Sequence, residues 1–522
     1  MNSNSLVKLL VLVGGLILAV VMGNLLVTDA FTAFLWISIT VVVTTCIYLE
    51  RRIWLLIPFL GAVDVTLRLP GLPTTLMLAQ ALVVGFSLIL LLMRRLPLHP
   101  RWTELESWCL LLTLMVIQVY IRNPVGLNIF GGSSVGGKPY VLFALALVTG
   151  GLLMGLKVEP KHLKAAMYLS IVGGLINFGV SLVGRFVPLV GYWTATSFVD
   201  GRGTDDSNVG KQYDAGAATR EPFLMILGRN LSLWISAFRS PLKACFHPFW
   251  GPCVLLALAA ATFSGFRNAV AIVGLTYFVG ICYRGGFVAV MASFMAGIVA
   301  IALLAVANGI SPLPPNIQRA LSFLPGTWEQ RYIEDAKGSS EWRFDIWKEV
   351  LTTDRWIHNK VLGDGLGFSA RELAYQASLR EGSVARLGVS GFDMHRESIL
   401  ASGDYHSGPV QAIRTIGYAG LIVILLFQIR LAVHAHRQIV RCKGTEWFPV
   451  ALFFGIPLIW NPIFYVFIFG DFKSASATLF LGSAMIRLLE RNLPLPAWSR
   501  VRLQPASLNS SLAKPAVARI SP

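Results

Sequence analysis

Charge is scarce in this chain. Only 14% of its 522 residues are Asp, Glu, Lys or Arg, where soluble domains carry roughly 25%, and the mean hydropathy is +0.64. An ordinary soluble protein is excluded. Cysteine is scarce too: Cys46, Cys109, Cys245, Cys253, Cys282 and Cys442 are the full set. None shows metal-ligand spacing, so neither a disulfide framework nor a zinc or other metal site is implied. The alternation of apolar and polar residues over about 10 positions that marks a membrane barrel strand is missing as well. LVKLLVLVGGLILAVVMGNLLV, near the start, is apolar on every side. It also lacks a basic leader and a small-residue cleavage site, and reads as a retained span.

What the chain has instead is apolar stretches near the length of about 20 residues that a spanning helix needs. About 12 to 14 of them recur from Leu6–Leu26 to Ser474–Leu489, two being weak: Ile53–Thr66 holds Asp64, and Phe223–Phe238 holds Arg229. The expected fold is all-α, a polytopic integral membrane helix bundle with one large extracytoplasmic loop. Its expected divisions are a first bundle segment over 1–307, the loop over 308–408, the last spans over 409–489, and a Pro-, Ser- and Ala-rich cytoplasmic tail over 490–522.

The net charge of +17 is a matter of topology, not of nucleic acid. The large loop Asn308–Gly408 holds 11 basic and 13 acidic residues. The excess sits in short links such as Met93–Arg101, Lys157–Lys164, Arg239–His247 and Arg430–Lys443, and in the tail. All of these fall on one side when spans alternate, which the positive-inside pattern makes the cytoplasm. Both termini are then inside, and the large loop and the turn at Arg267 are outside.

Polar mass on one face of an apolar scaffold is where chemistry is expected. Arg267, in FSGFRNAV, lies between two apolar runs; an arginine at membrane depth points to function or to snorkelling toward headgroups. Glu341–Leu351 reads as a short amphipathic helix, with Trp342, Ile346, Trp347 and Val350 at helical spacing and Gly338–Ser340 as the turn before it. That helix carries Arg343. Gly363–Gly367 (GDGLG) is a turn bringing backbone close to something, since no βαβ unit surrounds it. His406 opens the helix that begins at Pro409. Gly132–Lys138 (GSSVGGK) has phosphate-loop spacing, but Pro139 stands where Ser or Thr is needed and no strand precedes it, so a Gly/Ser loop is the better reading. Arg220 and Arg414 add further cations on the outer face, where forked guanidinium bonds suit a diphosphate.

Four features occur in order: Arg267 in SGFRNAV, Arg343 in WRFDIWKEVL, the GDGLGF turn, and His406-Ser407 followed after nine residues by Gly417-Tyr-Ala-Gly420. In this the chain resembles the O-antigen ligase and polymerase family of membrane glycosyltransferases, over roughly Phe263 to Gly420. The turn departs from the family in having SGF where a second Ser is common, and Arg220, with Arg202 behind it, is the nearest match to the family's first-loop arginine. The resemblance implies a bacterial inner-membrane enzyme with its site on the periplasmic face. It implies an undecaprenyl-diphosphate-linked glycan as donor, an acceptor glycan or lipid core, and inversion at the anomeric carbon, without a cofactor. His406 would be catalytic, and Arg267, Arg343 and Arg220 would bind the diphosphate. Ligase and polymerase remain equally open. The alternative class is a transporter or flippase of the same lipid-linked oligosaccharide, which calls for charge within the spans or internal symmetry.

Overall fold

The computed structural model describes residues 30–67, 73–125, 136–196, 220–368, 372, 391–403 and 405–493. The candidate first span Leu6–Leu26, Arg202 and the tail beyond 493 lie outside them. In chain order the helices are α1 (Ala30–Leu49), α2 (Leu56–Val63), α3 (Thr75–Leu92), α4 (Glu104–Arg122), α5 (Lys138–Gly155), α6 (Pro160–Phe186), α7 (Pro188–Trp193), α8 (Pro222–Phe238) and α9 (Pro241–Cys245). There follow α10 (Trp250–Phe263), α11 (Arg267–Ile310), α12 (Pro315–Leu321), α13 (Gln330–Thr352), α14 (Gly391–Ser402), α15 (Gly408–Cys442), α16 (Phe448–Phe467) and α17 (Phe472–Asn492). Two three-residue strands, β1 (Val65–Leu67) and β2 (Thr194–Thr196), pair antiparallel.

The molecule is a helical membrane bundle. Among the described residues, seven helices are long and apolar enough to cross a bilayer, and α8 and α10 are shorter apolar helices. One of the seven, α11, is two helices in series: Gly286 breaks it with φ 70° and ψ −174°, where the sequence had suggested two spans. The weak candidate Ile53–Thr66 is not one span. It divides into a 3-10 turn over Glu50–Leu55, the eight-residue α2 and then β1, because Asp64 takes a left-handed conformation that ends the helix.

Local chemistry fixes several helix starts. Thr103 and Glu106 form a reciprocal capping box at the head of α4, whose first turn is acidic and last turn basic, matching the helix dipole. Asp471 caps α17 by accepting from the Ser474 N–H at 2.8 Å, and Ser407 caps α15. The core sits between α15, α16 and α17, with α4 and α5 against them; Trp54, Phe427, Phe472 and Phe480 are its largest fully buried rings.

Contacts sort the links into two ends. Glu104 at the start of α4 meets Arg430 and His434 on the late part of α15. Lys164 pairs with Glu446, Arg491 bonds the Met154 carbonyl, and Tyr283 meets His436. The basic links therefore gather at one end. At the other, Arg185 pairs with Glu221, and the Glu221 N–H bonds the Ser264 carbonyl beside Arg267.

The large loop is tied to a second helix break. Gly417 interrupts α15 with φ 73° and ψ −179°, which strands backbone groups on either side of it. The 360–365 segment takes them up. Asp364 and Gly365 N–H groups donate to the Arg414 and Thr415 carbonyls, and the Tyr418 and Ala419 N–H groups donate to Lys360 and Val361 carbonyls, at 2.7–3.3 Å. Arg122 and Asn123 at the end of α4 hold the Leu362, Gly363 and Asp364 carbonyls, and Tyr140 accepts from the Leu366 N–H. The GDGLGF turn thus brings backbone to backbone. A Cβ on Gly363 would come within 2.5 Å of the Ile416 nitrogen, and one on Gly417 would run into the Val361 carbonyl.

That difference is measurable. Gly417→Ala carries both backbone strain of about 1–3 kcal/mol and overpacking of about 1–3 kcal/mol. Gly286→Ala, with similar dihedrals but open space around it, carries strain alone. Melting in detergent should rank Gly417→Ala below Gly286→Ala and both below the parent; equal losses would refute the interlock.

Candidate active site

The turn that presents Arg267 is built by small residues. Ser264 Oγ donates to the Ala261 carbonyl at 2.6 Å and accepts from the Phe266 N–H at 3.2 Å, while Gly265 takes φ 70° and lets the chain reverse at once into α11. Arg267 is the first residue of that helix. Its guanidinium donates to Asp335 at 2.9 Å, and its Nε lies 3.4 Å from the Arg319 carbonyl.

Asp335 is the hub. Arg319, from α12, also donates to it at 3.1 Å, and Arg220 lies within electrostatic reach, its guanidinium 5.8 Å from the centre of the Phe266 ring. Burial opposes ionisation of Asp335, but Arg319, followed by Arg267 and Arg220, holds its carboxyl below the usual carboxylate range. Because the folded value is depressed, this pairing is fully present above the unfolded value of about 3.9 and is lost only as pH falls through the lower, folded one. Arg343 completes the group, close enough to Arg267 for mutual repulsion. Among the described residues, three guanidiniums thus act on one carboxylate, with a fourth beside Arg267.

Arg343 is the informative member. It is half-buried, and loss of water draws it below arginine's ordinary value. Among the described residues it has no ion-pair partner. A desolvated, uncompensated cation costs free energy unless an anion meets it.

Helix α13 joins this cluster to His406. Asp335 and Trp342 are seven residues apart, hence on one face and ~10 Å apart along the axis. The Trp342 ring centre lies 6.3 Å from that of His406, and Phe469 flanks the imidazole at 6.1 Å. His406 itself is half-exposed and takes φ 51°, a left-handed conformation uncommon outside glycine. The residues around it hold the turn. Trp347 Nε1 donates to the Tyr405 carbonyl at 2.8 Å, and Tyr465 donates to the Gly408 carbonyl at 2.8 Å. Gly403 leaves no space over Arg414. Burial pushes the Tyr405 phenol up to about 12, so it stays protonated and is no base.

The structure therefore brings Arg267, Arg220 and Arg343 into one cluster and sets His406 beside the same helix. Two members, Arg319 and Asp335, were not among the sequence candidates. The signal existed in the seven-residue spacing of Asp335 and Trp342, but α13 was expected to begin only at Glu341. It runs from Gln330, through Gly338–Ser340, because its first half is docked by Tyr332 and Ile333 against the bundle and by Asp335 to two arginines. Its later apolar face lies on the bundle: Ile346 and Val350 are buried with Ile357, Leu400 and Tyr405. Arg414 is not in the cluster. It is buried, 4.1 Å from the centre of the Phe368 ring and 3.9 Å from Glu372, and serves to fix the loop. Of the Gly132–Lys138 stretch, residues 136–138 are described; the Gly136 carbonyl abuts Gly367, and Lys138 is buried at the head of α5.

Comparison of the chain with protein-family models and with curated proteins finds no match.

Proposed function

We propose that this protein is a membrane glycosyltransferase of the O-antigen ligase or polymerase type, moving a glycan from a polyprenyl diphosphate to an acceptor hydroxyl. The observation that carries the reading is Arg343: half-buried, with no ion-pair partner among the described residues, it stands near Arg267 of the Asp335 cluster and next in sequence to Trp342, which faces His406. A diphosphate is already a good leaving group, and what it needs is cations where its charge develops. Arg267, Arg319 and Arg343 supply forked donors for it, and Arg220 adds charge at the edge. The positive end of the α11 dipole favours an anion at the same place.

In the reaction the bond between the anomeric carbon and the diphosphate oxygen breaks and its electron pair leaves with the diphosphate. The acceptor oxygen bonds to that carbon from the opposite face, and its proton passes to His406, whose imidazole suits transfer near neutral pH. Asp335 keeps Arg267 and Arg319 together before the donor arrives. A flippase would instead use unwound backbone near the bilayer midplane to hold its cargo; here the groups freed at Gly417 are occupied by the 360–365 segment.

Two experiments test this. In liposomes loaded with an undecaprenyl-diphosphate glycan, release of the carrier diphosphate should require an acceptor glycan or lipid core; movement of the intact donor across the bilayer without release would favour transport. For sidedness, a cysteine-free variant carrying Lys337→Cys should label from the periplasm, and one carrying Lys443→Cys only once the cytoplasm is opened. The reverse pattern would place the arginine cluster on the wrong face for this chemistry.

A further inference from the structure

At the end of the bundle opposite the arginine cluster, α8, α9, α10, α11 and the α15–α16 link enclose a cleft of about 320 Å³. Four cations line it: Arg239, Lys243, Arg284 and Lys443. Among the described residues no carboxylate does so, and the nearby Glu446 is already paired with Lys164 at 2.6 Å. Arg284 is the half-buried one of the four. It donates to the Ser236 carbonyl at 2.9 Å and to the Ala237 carbonyl, and its guanidinium lies 4.9 Å from the centre of the Phe448 ring. It is thereby fixed in place, while Arg239, Lys243 and Lys443 are exposed at the mouth. His247 adds a donor. Its Nδ1 accepts from the Phe249 and Trp250 N–H groups, which leaves the ring proton on Nε2.

We infer that this cleft binds a phosphate-ester anion, and that the anion is the headgroup of an acidic membrane phospholipid. Cations without carboxylates, in a cleft between spans, suit a phosphate. The surroundings favour lipid as its source. Phe246 and Phe249, either side of His247, are 86% and 65% exposed, and Trp250 lines the cleft itself. A tryptophan beside a basic link marks the headgroup level of a bilayer, and the exposed phenylalanines offer apolar surface next to it, so the mouth opens where phospholipid phosphates lie. The inference is independent of the transferase reading, which concerns the other end of the molecule.

The test uses the full chain purified in detergent, exposed to phosphatidylglycerol or to phosphatidylcholine, with retained lipid counted by native mass spectrometry. The parent should retain phosphatidylglycerol in preference. The triple variant Arg239→Gln, Lys243→Gln, Lys443→Gln leaves the half-buried Arg284 and its contacts intact and should weaken that retention on the order of 100-fold, each cation near an acidic lipid contributing about fivefold. A control triple, Arg94→Gln, Arg95→Gln, Arg101→Gln, removes the same charge from another link at this end and should retain lipid as the parent does. Equal loss in both triples would reduce the effect to diffuse surface attraction and overturn the site. Unchanged retention in the cleft triple would overturn it as well. Titration with inorganic phosphate and with a nucleotide separates the other sources: saturable binding of either, lost in the cleft triple and unaccompanied by lipid preference, would overturn the lipid assignment.

Discussion

His406→Ala should abolish turnover in reconstituted liposomes while leaving donor binding largely intact. The cations proposed to hold the diphosphate sit on α11, α12 and α13, not on the turn that carries His406. General-base contributions are typically about 10²–10⁴-fold, well above the resolution of a carrier-release assay. The backbone matters to the design of the test. Because position 406 is left-handed, alanine adds a conformational cost that has nothing to do with chemistry, whereas asparagine tolerates this region. His406→Asn is therefore the cleaner loss of the base, and its melting point should stay near that of the parent. His406→Gln keeps a hydrogen-bond acceptor but takes up no proton at neutral pH. Near-parent rates in the glutamine variant would leave His406 a positioning residue; near-parent rates in the asparagine variant as well would remove it from the mechanism.

Arg267→Lys should lose activity by about 10²–10³-fold, the scale on which a single donor to a developing charge acts, with insertion and yield unchanged. Lysine keeps the charge and can still approach Asp335. It lacks the planar fork that lets arginine hold Asp335 with one nitrogen while offering others to a phosphate oxygen. If Arg267 merely snorkels toward headgroups, lysine should serve as well, and a fully active Arg267→Lys protein would sink the diphosphate role. Asp335→Asn gives the companion measurement. It removes the carboxylate that gathers Arg267 and Arg319, so activity should fall even though the net positive charge of the cluster rises. An unchanged rate there would show that the arginines do not need Asp335 to be held in place.

Much of this could be read from the chain alone. Long apolar runs with almost no charge allow few folds other than membrane helices, since backbone groups in lipid must be bonded within the segment. Basic residues in alternate links led to the expectation that those links lie on the cytoplasmic side. Arg267 stood out because an arginine at membrane depth is costly, and His406 because it precedes a helix start. In each case the signal is local: composition, or a residue against its immediate neighbours.

Tertiary structure decided the rest, and the reason is distance along the chain. Arg267 meets Asp335 across 68 positions and Arg319 across 52, and no local pattern announces such a pairing. The run Gly338–Ser340 has turn composition, yet it is helical because contacts at both ends of α13 outweigh a propensity cost of about 1 kcal/mol per glycine. The break at Gly417 tells the same story. A glycine in an apolar run is common in membrane helices; that this one stops the helix follows from the 360–365 backbone, which satisfies the groups the break exposes. The sequence by itself determined that the chain is a bundle of membrane helices. Only the folded chain determined which cations stand together and what holds the histidine turn, because those arrangements depend on backbone and charge partners supplied from far along the chain.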